Sequence, residues 1–123
     1  MIVGIGTDII EISKVQQAIE KNPRFLERVF TSEELEYAIR GEKISHESLA
    51  GMWAAKEAYA KATGEGFRNF ALKDVEVLHN KISAPYLRLH RGADCHPTSN
   101  IFISISHSDS MATAFCIIER KEQ

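Results

Sequence analysis

Cysteine is scarce in this 123-residue chain and does not occur in a metal-binding or redox pattern. The two cysteines, Cys95 and Cys116, are far apart, and neither belongs to a CxxC motif. The amino-terminal segment also lacks the basic head and long apolar stretch of a signal peptide. We therefore expect two reduced thiols in a cytoplasmic protein.

Long apolar runs and an excess of basic residues are also missing. No stretch of about eighteen apolar residues occurs, so we expect no membrane-spanning helix and no membrane partner. The formal net charge of -2 argues against nucleic acid as the main partner. The 44% hydrophobic content is ordinary, and no repeat or linker interrupts the chain. These features predict one domain, residues 1–123, with a modest core.

A long helix predicted over His46–Thr63 is the most informative segment that is present. Residues four apart share a helix face, so Trp53, Glu57 and Lys61 form one stripe. A second stripe lets the helix lie close against a neighbour because its side chains are all small: Ala50, Ala54, Ala58 and Ala62. Gly64 is the expected C-terminal cap. A carboxylate and an ammonium on a half-buried helix are the groups needed to bind a metal and neutralise a phosphate.

The flanking segments predict strands and shorter helices. A strand covers Ile2–Ile10, and an amphipathic helix after it ends before Pro23. A second helix begins at Thr31 or Ser32, has acids in its first turn and is expected to close at Gly41. Further strands are predicted at Leu72–Leu78, Tyr86–Leu89, Ile101–Ser106 and Met111–Ile118.

The last predicted strand is apolar on both faces. One face can pack on the long helix, but a domain of this size has little left to cover the other. We therefore predict a homo-oligomer built through the carboxy-terminal strands.

Asp8 lies in the first strand between Ile5 and Ile9, after two glycines. It is either an exposed strand-end aspartate or, if buried, an acid that needs a partner such as a metal ion. The glycine pattern is not a dinucleotide fingerprint, because position 9 is isoleucine and no ribose-binding acid follows. Glu57 and Lys61 also have a simple alternative role, an ordinary ion pair that stabilises the helix.

Two other groups of polar residues are candidates for binding. Ser106 and His107 end an alternating strand, where the histidine suits a structural hydrogen bond as well as a functional role. Neighbouring hydroxyls can hold its tautomer or contact phosphate oxygens. The first helical region has a basic face made of Lys14, Lys21, Arg24 and Arg28. That face is either simply solvated or docks an acidic protein partner.

Three motifs together resemble a known family. They are Gly4-Ile5-Gly6-Thr7-Asp8-Ile9, then Trp53-Ala54-Ala55-Lys56-Glu57-Ala58-Tyr59-Ala60-Lys61-Ala62, then Ser104-Ile105-Ser106-His107-Ser108. Phe30-Thr31-Ser32-Glu33-Glu34 fits the same pattern. In this order and spacing, over nearly the whole chain, they closely resemble the holo-[acyl-carrier-protein] synthases, the small class of 4'-phosphopantetheinyl transferases.

The resemblance implies an α+β fold in which an antiparallel sheet packs against a long central helix and shorter helices. It implies transfer of 4'-phosphopantetheine from coenzyme A (CoA) to a serine of apo acyl carrier protein, which releases adenosine 3',5'-bisphosphate and supports fatty acid biosynthesis. It also implies Mg²⁺ bound by Asp8 and Glu57, and a homotrimer with active sites between adjacent subunits. Two carboxylates suffice because Mg²⁺ fills its other positions with water and phosphate oxygens.

The same resemblance implies further site residues. Lys61 is expected to offset charge on the pyrophosphate, and Lys56, one position off its stripe, to reach an outer phosphate of CoA. The residues expected near CoA are Lys56, Lys61, Gly64, Gly66, Ser106 and His107. The acidic carrier protein is expected to dock on the first helix, at Lys14, Lys21, Arg24 and Phe25. The proton of the attacking serine goes to Glu57, to His107 or to a water on the metal, with Glu57 ranked first.

One departure from the family pattern and two rival functions are part of this interpretation. The family often has a glycine-containing turn before Pro85, whereas this chain has Ser83-Ala84-Pro85, so the strand register there stays open. A magnesium-dependent hydrolase acting on a pyrophosphate would use the same acids and Lys61 but would not need the basic first helix. A non-catalytic oligomeric binding module would show no metal-dependent binding of CoA.

Overall fold

The computed structural model describes residues 1–122 and combines helices with antiparallel strands. The helices are α1 (Ile12–Lys21), α2 (Phe25–Val29), α3 (Ser32–Ala38) and α4 (His46–Thr63). The strands are β1 (Ile2–Glu11), β2 (Ile39–Arg40), β3 (Lys43–Ile44), β4 (Val75–His79), β5 (Pro85–Leu89), β6 (Ser99–His107) and β7 (Met111–Arg120). Strands β1, β7 and β6 form an antiparallel sheet in that order, and β2–β3 and β4–β5 are two-stranded hairpins.

Helix α4 packs across the inner face of the three-stranded sheet and is the centre of the core. Alternation along β7 points Ala112, Ala114, Cys116 and Ile118 toward this helix, and all four are buried. The outer face of the same sheet stays apolar and exposed, with 60% of Ile5, 60% of Ile9, 53% of Phe102 and 47% of Phe115 accessible. The prediction that the last strand is apolar on both faces, with one face on the long helix, is confirmed.

Two glycines set the distance between β1 and α4. A Cβ atom added at Gly4 would lie 2.1 Å from the Ala62 carbonyl oxygen, and one at Gly6 would lie 2.0 Å from that of Ala58. The glycines of the strand and the alanine stripe of the helix therefore meet backbone to backbone. This close approach carries Asp8, two residues beyond Gly6, alongside the last two turns of α4.

The helix boundaries follow local capping signals, with one error. Helix α4 spans the predicted residues and is capped by Gly64, whose φ of +83° is the left-handed cap conformation. Helix α3 begins after Thr31 with a capping box to Glu34. The expectation that this helix closes at Gly41 is wrong. It ends at Ala38, and Gly41, at φ +63°, lies in the turn between β2 and β3.

Other segments differ from the sequence prediction in detail. The short helix α2 was not predicted, because five residues are too few to show a clear helical period. The predicted strand at Leu72–Leu78 begins instead with a 3₁₀ turn, Leu72–Asp74, and becomes a strand at Val75. A second 3₁₀ turn, Arg91–Ala93, lies in the segment predicted as a loop.

The hairpin before Pro85 has a regular register in spite of its missing glycine. Strand β4 pairs with β5 from Val75 opposite Leu89 to His79 opposite Pro85. Ser83 adopts a φ of +64°, a conformation that favours glycine. The Asn80 side chain supports the turn by accepting hydrogen bonds from the backbone N–H groups of Ile82 and Ala84, both at 3.0 Å.

Both cysteines are free thiols, as expected, with Cys95 exposed and Cys116 buried. None of the helices within residues 1–122 combines the length and the apolar content needed to cross a bilayer.

Candidate active site

Asp8, Glu57 and Lys61 come together where β1 passes the carboxy-terminal half of α4. The Lys61 ammonium donates hydrogen bonds to Asp8 Oδ1 and to the Thr7 carbonyl oxygen, both at 3.0 Å. The Lys61 side chain is 56% exposed, whereas that of Asp8 is 17% exposed. The two residues are 53 positions apart, so this contact depends on the packing of β1 against the helix.

Glu57 lies in an unfavourable environment for a carboxylate. Burial raises its pKa above the ordinary value, and the negative charge of Asp8 raises it further. The Lys61 charge and the Trp53 indole act in the opposite direction but do not cancel these effects. Two nearby acids that repel each other, one of them half-buried, are stabilised by a cation between them.

This pair of acids suits Mg²⁺ better than a metal that needs several protein ligands. Residues 1–122 contain no group of three or more His, Cys, Asp or Glu side chains placed to hold a metal ion. Mg²⁺ is commonly held by one or two carboxylates, with water and substrate phosphates completing its octahedron. Asp8 and Glu57 therefore fit the ion by donor type, number and charge.

Lys56 does not belong to this group, which corrects the expectation that it reaches an outer phosphate of CoA. Its side chain is completely buried and its ammonium lies 2.8 Å from Glu34 Oε1. The ammonium also donates to the carbonyl oxygens of Leu72 at 3.0 Å and Val75 at 2.7 Å. All three of its N–H groups are used, so none is left for a ligand. Burial lowers the pKa of Lys56, and the Glu34 charge opposes that effect.

Glu34 is the centre of a buried polar network that sequence reasoning missed. Its carboxylate accepts from the backbone N–H groups of Thr31 and Val77, both at 2.8 Å, in addition to Lys56. It thereby joins α3, β4 and α4. The sequence signal was the capping box, which identifies Glu34 as a helix-start residue but does not reveal its partner on α4.

Ser106 and His107 lie at the opposite edge of the sheet from Asp8. Asp8 pairs with Ala114, and Ala114 pairs with Ile105, two residues before His107. Strand spacing and rise therefore separate the Cα atoms of Asp8 and His107 by about 12 Å. His107 lines a separate cavity of about 190 Å³, whose other walls include Tyr37, Gly51 and Pro85. One chain therefore does not bring all the predicted catalytic residues together.

The backbone conformation after α4 favours glycine at positions 64 and 66. Both adopt a positive φ, +83° and +65°, and their backbone N–H groups donate to Lys61 and Ala60 carbonyl oxygens. Neither has a neighbouring atom within 4 Å of where a Cβ would lie. The backbone at these two positions is open, three and five residues beyond Lys61.

Comparison with known proteins identifies the family of this chain. A model of the 4'-phosphopantetheinyl transferase superfamily matches residues 4–116. This chain belongs to that superfamily. The holo-[acyl-carrier-protein] synthase of Alkaliphilus metalliredigens is 50% identical over 122 residues, which cover 95% of this chain and 98% of the relative. That of Clostridium tetani is 47% identical over 125 residues and covers 97% of both chains.

A solved structure extends the similarity to the fold. The crystal structure of a holo-(acyl-carrier-protein) synthase from Bacillus anthracis in complex with CoA (3',5'-ADP) is 35% identical to this chain. It aligns with a TM-score of 0.82 and covers 98% of this chain and 99% of that one. The predicted family, enzyme class and α+β fold are therefore confirmed.

The basic residues expected to dock the carrier protein of this transferase are on one exposed region. Lys14 and Lys21 lie on α1, and Arg24 lies just before α2. All three are exposed, and the ion pairs formed within residues 1–122 do not involve them. Phe25 is half-buried, with its ring against Trp53 at a centroid distance of 5.2 Å. Its role in docking stays a prediction.

Proposed function

We propose that this transferase moves the 4'-phosphopantetheine arm of CoA to a serine of an apo acyl carrier protein in a Mg²⁺-dependent reaction that releases adenosine 3',5'-bisphosphate. The observation that carries the proposal is the group formed by Asp8, Glu57 and Lys61 at the contact of β1 with α4. When bound, Mg²⁺ supplies positive charge that neutralises the pyrophosphate of CoA.

The residues of the chain then have separate tasks. Asp8 and Glu57 would hold the cation, and Lys61, whose side chain is 56% exposed, would offset the charge that grows on the departing phosphate. The serine hydroxyl of the carrier protein attacks the phosphorus of the pantetheine phosphate. Its proton passes to Glu57, directly or through a water, because a carboxylate positioned at the reacting group can act as a general base. Gly64 and Gly66 leave open backbone for CoA beyond Lys61.

The test of this reaction is incubation of the protein with apo carrier protein, CoA and Mg²⁺, followed by intact mass spectrometry. The proposal expects a mass gain equal to one phosphopantetheine and the release of adenosine 3',5'-bisphosphate. Free phosphopantetheine with no gain on the carrier protein would instead identify a hydrolase. Binding of CoA that does not depend on Mg²⁺, with neither product, would identify a binding module.

We also propose a homotrimer whose active sites lie between adjacent subunits. The exposed apolar face of the β1–β7–β6 sheet supplies a surface for association, since such patches are rarely left uncovered. The separation of Asp8 from His107 supplies a reason, because a neighbouring subunit can bring its Ser106 and His107 to the acids of the first. Light scattering that finds a monomer at micromolar concentration would contradict this assembly.

A shared site predicts complementation between two defective variants. Asp8→Asn and His107→Ala should each lower transfer strongly, whereas trimers reassembled from an equal mixture should regain activity. Roughly a quarter of the sites in random trimers then contain both native residues. Transfer rates before and after mixing measure the gain. No gain in mixed trimers would show that each site is built from one chain, and a fully active His107→Ala variant would remove that residue from the site.

Docking of an acidic carrier protein on α1 predicts a selective effect of charge reversal. Lys14→Glu or Arg24→Glu should raise the apparent KM for carrier protein roughly tenfold and leave the KM for CoA unchanged, because these cations contact only the protein substrate. Steady-state kinetics with each substrate varied in turn measures both constants. Lys81→Glu, at the β4–β5 turn, is a matched control. Equal effects on both substrates would argue against docking there.

The physiological setting is proposed on chemical grounds. A holo-carrier-protein product implies a role in fatty acid biosynthesis. The lipid content of a strain that lacks the gene tests this role. The free thiols of Cys95 and Cys116 fit a reducing compartment, and we propose the cytoplasm, with residues 1–123 acting as one domain.

A further inference from the structure

Trp53 carries a polar atom that the mechanism above does not use. Its indole Nε1 is buried and makes no hydrogen bond to any other group within residues 1–122. Leaving a buried N–H donor without an acceptor is unfavourable, and native proteins seldom do so. The indole N–H therefore needs an acceptor, and none is in hydrogen-bonding position within residues 1–122.

The acceptor within reach is the carboxylate of Glu57. Trp53 and Glu57 are four residues apart on α4, so they lie on one face of the helix. Side chains on a helix lean toward its amino terminus, which carries the Glu57 carboxylate toward Trp53. Among the influences on the pKa of Glu57, burial and Asp8 raise it, whereas the Trp53 indole lowers it, as a nearby donor does. The indole therefore acts on the Glu57 carboxylate, although its N–H does not meet the geometry of a hydrogen bond to any group in the part of the chain that the structure describes.

The indole ring is held in place from its other side. Phe25 meets the ring edge to face, with centroids 5.2 Å apart and planes at 63°. Phe25 in turn contacts Phe30 edge to face at 6.2 Å. A ring packed in this way presents its N–H from a fixed position, so the carboxylate is the partner that moves. Hydrogen bonds at active sites are often long or misaligned until the ligands are present.

We propose that the Trp53 indole N–H holds one oxygen of Glu57 and leaves the other free for the divalent cation, which makes Trp53 a positioning residue. The inference rests on the proposed function, because it requires Glu57 to be a metal ligand. A carboxylate has lone pairs for both partners at once. Outer donors of this kind orient metal ligands and strengthen metal binding.

The first test is Trp53→Phe, which keeps an aromatic ring against Phe25 and removes the N–H. Mg²⁺ affinity, measured by calorimetry with CoA present, should fall about tenfold, and the Mg²⁺ concentration for half-maximal transfer should rise by the same factor. Phe30→Leu is the control, since it loosens the same aromatic cluster but keeps the donor. It should lower the melting temperature without changing Mg²⁺ affinity. Wild-type Mg²⁺ affinity in Trp53→Phe would overturn the proposal.

The second test uses the native sequence and does not depend on how well that variant folds. Trp53 is the sole tryptophan, so intrinsic fluorescence reports on this ring alone. Mg²⁺ added with CoA should change the emission of the wild type and leave that of Glu57→Gln unchanged. Calorimetric Mg²⁺ binding with no change in emission would overturn the role of Trp53 and leave the proposed function standing. Absence of Mg²⁺ binding by the wild type would overturn both.

Discussion

Glu57→Gln should lower the rate of phosphopantetheine transfer by roughly 10²–10³-fold and leave the protein folded. The substitution keeps the shape of the side chain but removes the negative charge that holds the cation and accepts the serine proton. The free energy of unfolding should stay equal or rise, because burial and Asp8 both disfavour the native carboxylate. Transfer assays at several Mg²⁺ concentrations, with thermal melts of the same preparations, measure both effects.

Asp8→Asn should show a similar loss of transfer with little loss of stability. The pair between Asp8 and Lys61 is largely exposed on the lysine side, and such pairs stabilise a protein by at most about 1 kcal/mol. Glu42→Gln, in the exposed β2–β3 turn, is the control and should retain full activity. Near-normal turnover by Glu57→Gln or Asp8→Asn at saturating Mg²⁺ would contradict the assignment of these acids.

Lys56→Met should cost about 3–5 kcal/mol of unfolding free energy, the largest stability effect we expect in the chain. It removes the only buried cation beside Glu34 in the described residues and leaves that carboxylate buried with backbone donors alone. The protein that remains folded should bind CoA with unchanged affinity, because the Lys56 ammonium uses all its donors internally. Denaturant unfolding and CoA titration measure the two quantities.

The same substitution five residues along the helix is the matched control. Lys61→Met should lower transfer strongly and change stability by less than about 1 kcal/mol, the reverse of the Lys56 result. A double variant, Lys56→Met with Glu34→Gln, should be less destabilised than the sum of the single variants, since the two groups interact directly. Weakened CoA binding by a fully stable Lys56→Met variant would restore the phosphate role that the structure argues against.

The local parts of this protein were predictable because their signals are local. Helix α4 and its cap at Gly64 follow from periodicity and from the conformation that glycine allows. The stripe that carries Glu57 and Lys61 follows from helix geometry alone. The glycines of β1 and the alanine stripe are both visible in the sequence, but only the packed structure shows their direct contact.

The site was predictable in part. Family motifs identified Asp8, Glu57 and Lys61, and the structure brings these together. The same motifs identified Lys56, whose burial against Glu34 no local pattern could reveal, because the partner lies 22 residues away. The motifs also place His107 with the acids, but within one chain the strand order β1–β7–β6 separates it from them.

The amino-acid sequence by itself determined the order of helices and strands and the helix face that carries charge. Both depend on neighbours three or four positions away. Tertiary packing decided which lysine faces solvent, which acids meet and which residues lie at opposite edges of the sheet. Those relations join residues tens of positions apart, and they depend on how closely β1 approaches α4. Neighbouring lysines on one helix therefore have unrelated tasks, one inside the core and one at the site.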